Sequence, residues 1–191
     1  MERLKRAIEE KGTFLEKDLV KVDSFLNHRI DTELMEEIGQ EIADHFKDKG
    51  IDKVLTVETG GIAPAYAAAV RLKVPLVFAK KTKPTTMIDP TVCDAYSYTK
   101  KQTYQICVEK FVLNPGERIL FVDDFLANGE AFKGVESLCK EAGAEIGGAA
   151  VCVEKVFQKG HAYITERGYD LLALAPIAQV ENGHITWSDE L

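Results

Sequence analysis

The chain has 191 residues, 46% apolar and 29% charged, which suits one globular domain with a sizeable core and makes a two-domain reading strained. With 24 Lys and Arg against 31 Asp and Glu, the net charge of −7 argues against non-specific binding of nucleic acid or anionic membrane, yet allows a small basic site for an anionic substrate. No apolar run approaches the roughly 20 residues that span a bilayer, and the opening MERLKRAIEEKG has no apolar secretory core, so a cytoplasmic protein is expected.

In chain order, Arg3 to Lys11 reads as a short amphipathic helix with Leu4 and Ile8 one turn apart. Thr32 to Lys49 reads as a longer one. Asp31 is its N-cap, Glu33 lies in the positive first turn, Gly50 closes it, and Leu34, Ile38, Ile42 and Phe46 form its buried stripe. Lys53 to Val57 is a β-branched strand, followed by the turn Glu58-Thr59-Gly60-Gly61 and an Ala-rich helix from Ile62 to Arg71, with Pro64 tolerated in its first turn. Pro75 to Ala79 is another apolar strand, and Lys80 to Thr91 reads as a long, basic, mobile loop.

Tyr96 to Tyr98 and Thr103 to Val108 read as paired strands flanking Lys100 and Lys101, and Asn114-Pro115-Gly116 is a turn. Arg118 to Val122 is an apolar strand that delivers Asp123 and Asp124, before a helix from about Asn128 to Glu141. Ile146 to Glu154 is a buried strand, and Leu171 to Leu174 and the segment after Pro176 supply late strands. The four cysteines show no metal-like spacing and read as buried reduced thiols; the four histidines show no ligand or triad spacing. Strands separated by helices predict an α/β fold with a mainly parallel sheet flanked by helices, and ligands then gather at the carboxyl ends of strands.

The chemistry concentrates in Arg118 to Gly134, RILFVDDFLANGEAFKG. Two adjacent carboxylates are costly to bury without hydroxyl, cationic or solvent partners. Just beyond them, the small-residue turn from Ala127 to Ala131 opens a helix, where free N–H groups and the positive helix end can hold a phosphate. Gly129 permits a close approach of the backbone to that anion. A carboxylate pair for vicinal hydroxyls, followed by an anion cradle, matches a ribose 5-phosphate in its own order. The plain alternative is an Asp pair capping an ordinary strand-to-helix turn.

At these residues the chain resembles the type I phosphoribosyltransferases. Phe121-Val122-Asp123-Asp124-Phe125-Leu126-Ala127-Asn128-Gly129-Glu130-Ala131 is similar to their signature for 5-phosphoribosyl 1-diphosphate, with Asn128 and Ala131 where threonines are usual. Leu-Ala-Asn-Gly is the variant of the bacterial xanthine enzymes and of related purine-sensing repressors. Lys21 to His28, Gly61 to Ala65 and Glu154 to Gln158 extend the similarity over positions 20 to 160.

The resemblance implies a type I phosphoribosyltransferase fold over residues 1–191, with a small hood from about residues 1–30 and C-terminal segments. It implies that Asp123 and Asp124 hold the ribose hydroxyls. Ala127, Asn128, Gly129, Glu130 and Ala131, with Thr59, Gly60 and Lys81, bind the phosphoribosyl donor. Val20, Asn27, Phe125 and Lys155 contact the base: Lys155 meets the 6-oxo group, Phe125 stacks, and Asn27 reads the 2-oxo edge with its donor and acceptor. Lys83, Lys100 and the Tyr96-Ser97-Tyr98 segment belong to the covering loop. Read without the resemblance, each of these residues also fits a tight turn, a solvated lysine face, a snorkelling strand-end lysine, a core phenylalanine or a capping asparagine.

The implied reaction transfers 5-phosphoribosyl to xanthine in purine salvage, giving xanthosine 5′-monophosphate and diphosphate, with magnesium accompanying the donor and no protein metal site. Guanine or hypoxanthine as the base, and a non-catalytic purine-sensing regulator, remain open. The regulators carry an extra DNA-binding domain for which the N-terminal segment is expected to be too short. The expected partners are small-molecule substrates and a second copy in a homodimer, with neither nucleic acid nor membrane.

Overall fold

A computed structural model of the chain describes residues 1–15, 19–97, 102–181 and 184–188. Helix α1 (Glu2–Lys11) is followed by the short hairpin β1 (Thr13–Leu15) and β2 (Leu19–Lys21), in which Phe14 faces Val20, and by a π-helical turn, Asp23–Asn27. Helix α2 (Thr32–Phe46) starts as its sequence predicts, with the Asp31 side chain accepting from the Leu34 amide at 3.2 Å. It stops a turn earlier than expected, because Phe46 is its last buried residue and the chain leaves through Lys47 toward Gly50 at φ 64°.

The remaining elements are β3 (Lys53–Val57), α3 (Ile62–Leu72), β4 (Leu76–Ala79), the hairpin β5 (Pro90–Ser97) and β6 (Gln102–Glu109), β7 (Arg118–Leu126), α4 (Glu130–Ala142), β8 (Glu145–Lys155), α5 (Lys159–Thr165), β9 (Leu171–Glu181) and β10 (His184–Trp187). The main sheet runs in the order β10-β9-β8-β7-β3-β4, parallel throughout except for β10. All five residues of β3 are buried, the pattern of a central strand covered on both faces. One apolar cluster fills the space between the sheet and α1, α2 and α3; the other lies under α4, α5 and the β5–β6 hairpin.

From β3 the chain goes outward to β4, then returns on the other side of β3 as β7 and continues outward to β8 and β9. The connections therefore diverge between β3 and β7, and a crevice opens beyond their carboxyl ends. The sequence places both acid-bearing and glycine-bearing segments at those two ends.

Three expectations need correction. The Asp pair does not follow β7 but lies within it, because β8 pairs with β7 as far as Leu126 opposite Glu154. The two late strands are one, β9. Pro176 sits inside it, next to Ile177 where pairing with β10 ends, so its missing N–H breaks no β10 bond. The loop after Ala79 gives way to β5 already at Pro90, and the hairpin is longer than its sequence suggested. Tyr98, Lys100 and Lys101 lie outside the described residues.

The first and last segments meet. The Met1 ammonium donates to the Leu174 carbonyl at 2.6 Å, and the Trp187 indole N–H donates to Glu9 Oε1 at 2.8 Å. These bonds tie α1 to β9 and β10, and α1 also packs on the π-helical turn.

Candidate active site

Strand β3 pairs with β7 only up to Leu55 opposite Phe121, whereas β8 follows β7 to its end. From Asp123 onward, β7 is thus held on one side and open on the other, toward the turn that leaves β3. That turn, Glu58 to Gly61, contains a cis peptide bond between Glu58 and Thr59. Its glycines are demanded by the acids. A Cβ on Gly60 would overlap the Asp124 carboxylate, and one on Gly61 would overlap Thr56 Oγ1 and stand 2.5 Å from Asp123 Oδ1. The carboxylates and the turn are packed against each other, and no larger residue fits between them.

The two acids differ. Asp123 is 8% exposed and its Oδ1 accepts from the Asp124 amide at 2.9 Å. Burial, and then the neighbouring Asp124 charge, push its carboxyl well above the ordinary range, with the Lys81 charge pulling it partly back. Asp124 is half-buried; its Oδ1 accepts from the Phe125 amide at 3.0 Å and its Oδ2 from the Asn27 side-chain amide at 2.7 Å. Asn27 ends the π-helical turn, a local widening of helical geometry often found at functional sites. The N-terminal segment thus reaches one of the acids directly.

Downstream, residues 127–131, expected as the phosphate cradle, lead from the end of β7 into α4. Gly129 is the N-cap of α4 at φ 79°, a left-handed conformation that favours glycine, and no side chain caps the helix. The amides of its first turn are therefore left without a capping side chain, as an anion site at a helix N-terminus requires. Gly160 forms the floor: its amide donates to the Ala127 carbonyl at 2.9 Å, and a Cβ there would meet that same oxygen at 2.5 Å and Leu126 Cδ1 at 2.7 Å. Glu130 Oε1 is paired with Lys133 at 2.5 Å, which turns its charge along the helix.

Of the remaining donor-side residues, Thr59 and Lys81 are exposed and Gly60 half-buried. The Lys81 amide donates to Glu58 Oε1 at 2.7 Å, and its ammonium stands 5.9 Å from the centre of the Tyr104 ring. Lys81 and Asp123 are close enough for the lysine charge to act on the carboxyl. Lys80 is held to β6 by a pair of 2.9 Å backbone bonds with Cys107, which joins the loop to the hairpin.

Among the residues expected to contact the base, Phe125 is half-buried against the cluster that contains Val20, Phe25 and Leu26. Val20 is 7% exposed, so its side chain is a packing residue of the N-terminal hairpin as well as a candidate wall. Lys155 is the last residue of β8, half-buried, opposite Ile177 of β9. The sheet brings Phe125 and Lys155 to the ends of neighbouring strands, and Asn27 joins them through Asp124.

Sequence reasoning did not single out Gly160, the Glu58 contact or His161. His161 Nδ1 lies 2.7 Å from Oε1 of Glu154, whose side chain is 2% exposed. Burial raises the Glu154 carboxyl above its ordinary range, and the histidine partly offsets this.

Comparison with known proteins gives the family and the fold. Residues 21–182 match the model of the phosphoribosyl transferase domain. The chain is 49% identical to a xanthine phosphoribosyltransferase of Lactobacillus delbrueckii subsp. bulgaricus, over 98% of this chain and all of that one. It is 45% identical to one of Exiguobacterium sp., over 98% and 97% of the two chains. Its fold is that of a crystal structure of adenine phosphoribosyltransferase from Thermoanaerobacter pseudethanolicus, with a TM-score of 0.77 at 19% identity, over 92% of this chain and 98% of that one. A family model over most of the chain and relatives nearly half identical over almost their full length show that the chain belongs to the phosphoribosyltransferases.

Proposed function

We propose that this chain transfers the 5-phosphoribosyl group from 5-phospho-α-D-ribose 1-diphosphate to xanthine, forming xanthosine 5′-monophosphate and diphosphate in purine salvage. One observation carries the reading of the site. The Glu58–Gly61 turn packs on the Asp123–Asp124 carboxylates, and the strand that bears them leads, three residues beyond its end, into α4, whose first turn no side chain caps. Their order fits a leaving diphosphate at one side, a ribose in the middle and a 5′-phosphate at the end. Xanthine as the base rests on the two bacterial relatives at 49% and 45% identity, both called xanthine phosphoribosyltransferases.

In this reading a purine ring nitrogen displaces diphosphate from the ribose C1 with inversion, and bond breaking runs ahead of bond making. Positive charge develops on the sugar, so catalysis is positioning and charge management. Asp124 and Asp123 accept from the ribose hydroxyls and favour that charge. The amides of residues 127–131 hold the 5′-phosphate, and those around Thr59 and Gly60, with Lys81, hold the diphosphate. Lys155 donates to the 6-oxo group, Phe125 stacks on the ring, and Asn27 reads its 2-oxo edge beside Val20. Magnesium accompanying the donor would be held by its diphosphate oxygens, the hard donors that the ion prefers, and would supply charge neutralisation at the leaving group.

Residues 1–30 and the C-terminal strands act as a hood over the base, consistent with their mutual anchoring through Met1 and Trp187. The β5–β6 hairpin covers the reaction and excludes water, which would otherwise hydrolyse the donor. Among the described residues no helix is long and apolar enough to cross a membrane. We take the enzyme to be cytoplasmic and homodimeric. The test is to mix the protein with donor, magnesium and each purine separately. Xanthosine monophosphate should form fastest; faster guanosine monophosphate would overturn the base assignment, and no product with any purine would overturn the reaction.

A further inference from the structure

Glu154 is a buried acid that the reaction does not use. It immediately precedes Lys155, the proposed base contact, and stands opposite Leu126, next to the phosphate cradle. Its carboxylate has one described partner, His161, at 2.7 Å. Between these two residues the chain makes a compact turn. The Gln158 amide donates to the Lys155 carbonyl at 2.9 Å, the Val156 amide to the Ile177 carbonyl at 3.0 Å, and the Gly160 amide to the Ala127 carbonyl at 2.9 Å. Gly160 is the floor of the cradle, 3.1 Å by its Cα from where a Cβ on Gly129 would stand.

The segment from Glu154 to His161 thus carries a base contact near its start and the support of the phosphate cradle near its end. Its two end residues are joined to each other side chain to side chain. We propose that Glu154 and His161 are positioning residues, a clasp that fixes the spacing between the Lys155 ammonium and the 5′-phosphate cradle. This rests on the phosphoribosyl transfer proposed above.

The chemistry supports a deliberate pairing. With Glu154 ionised its oxygens only accept, so Nδ1 carries the proton, and the ionised acceptor makes the bond charge-assisted. With Glu154 2% exposed and His161 41% exposed, removing the histidine leaves a buried carboxylate unpaired, whereas water can reach the histidine side. Neither side chain belongs to the reacting atoms. The 5′-phosphate and the 6-oxo group keep nearly the same contacts from bound substrates to transition state. Loosening their mutual spacing therefore weakens both states alike, which raises KM while leaving kcat little changed.

The test uses His161→Ala, His161→Asn and His161→Gln in the full chain, with steady-state kinetics for donor and for xanthine and a melting curve for each variant. The asparagine amide nitrogen occupies the place of Nδ1, whereas the glutamine nitrogen falls nearer that of Nε2. His161→Ala and His161→Gln should raise KM for both substrates about tenfold, the scale of a lost charge-assisted bond, with kcat within about twofold. His161→Asn should restore both KM values. Unchanged KM values, an increase for one substrate alone, or equal behaviour of the Asn and Gln variants would overturn the clasp. If His161→Ala melts too low to assay, the Asn and Gln pair decides alone. Inactive wild-type protein would overturn the reaction itself, which is a different result.

Discussion

The two ends of the crevice are built from different materials. The proposed phosphate end is backbone: the amides of α4's first turn, Gly129 at its positive φ, and Gly160 packed beneath it. The proposed base end is side chains, Asn27, Phe125 and Lys155, drawn from segments far apart in the chain. A phosphate is the same in every donor, and amides pre-aimed by a helix bind it without ordering any side chain. A base must be told from similar bases, which needs donors and acceptors of chosen direction. The invariant part of a substrate is met by main chain and the variable part by side chains.

Asp124 stands where the two ends meet, touching Asn27 on one side and crowding Gly60 on the other. Its removal is therefore expected to have the largest effect. Asp124→Asn keeps the shape but takes away the charge that favours the developing oxocarbenium and reverses half of its hydrogen-bonding capacity. A fall in kcat of about 10²–10³-fold is expected, the scale of losing one preorganised electrostatic group. A change of less than about fivefold in single-turnover rate would mean that the acid is only a scaffold.

Separating the ends comes next. Gly160→Ala puts a methyl group 2.5 Å from the Ala127 carbonyl and displaces the cradle, so KM for the donor should rise about tenfold or more while xanthine use at saturating donor changes less. Lys155→Ala should do the reverse. It removes one donor to the base, and KM for xanthine should rise about tenfold with donor KM nearly unchanged. If both variants damage both substrates equally, the division into a main-chain end and a side-chain end is wrong. Product formation with guanine and hypoxanthine in the Lys155 variant sharpens this, because all three bases share the 6-oxo group and should suffer alike.

The same contrast explains what was legible in the sequence. The acids and the helix-opening turn lie within one contiguous stretch, 123–131, and a strand-acid-acid-turn-helix pattern exposes them to inspection. The α/β order of the main elements followed from runs such as Lys53 to Val57 and Ile146 to Glu154, whose burial on both faces leaves an apolar signature. The base end carried no such signal: Val20, Asn27 and Lys155 entered only through resemblance to a family. Gly160 and the Glu154–His161 pair were not legible at all. Glu154 lies in β8 and His161 in α5, so no single element's period relates them, and α5, with seven residues, is too short to show an apolar stripe. The extent of β7 was underestimated because its last four residues are held by β8 alone, a pairing with no local trace.

The smallest expected effect concerns Asp123, and it appears in stability. Burial and the adjacent Asp124 hold its carboxyl well above the ordinary range in the folded ligand-free protein. Between the ordinary carboxylate value and that raised value, the folded state binds a proton that the unfolded state has lost. Stability therefore falls as pH rises through this window, because the folded chain must then carry a buried charge. Asp123→Asn removes the titration while keeping the shape. The variant should melt no lower than wild type at neutral pH and show a flatter dependence of Tm on pH above about 4. Saturating donor supplies hydroxyl partners to the wild-type carboxylate and should narrow the difference. A wild-type Tm that climbs with pH across that range, relative to Asp123→Asn, would show that the carboxylate is already compensated without substrate, and that this site is assembled at no cost to the fold.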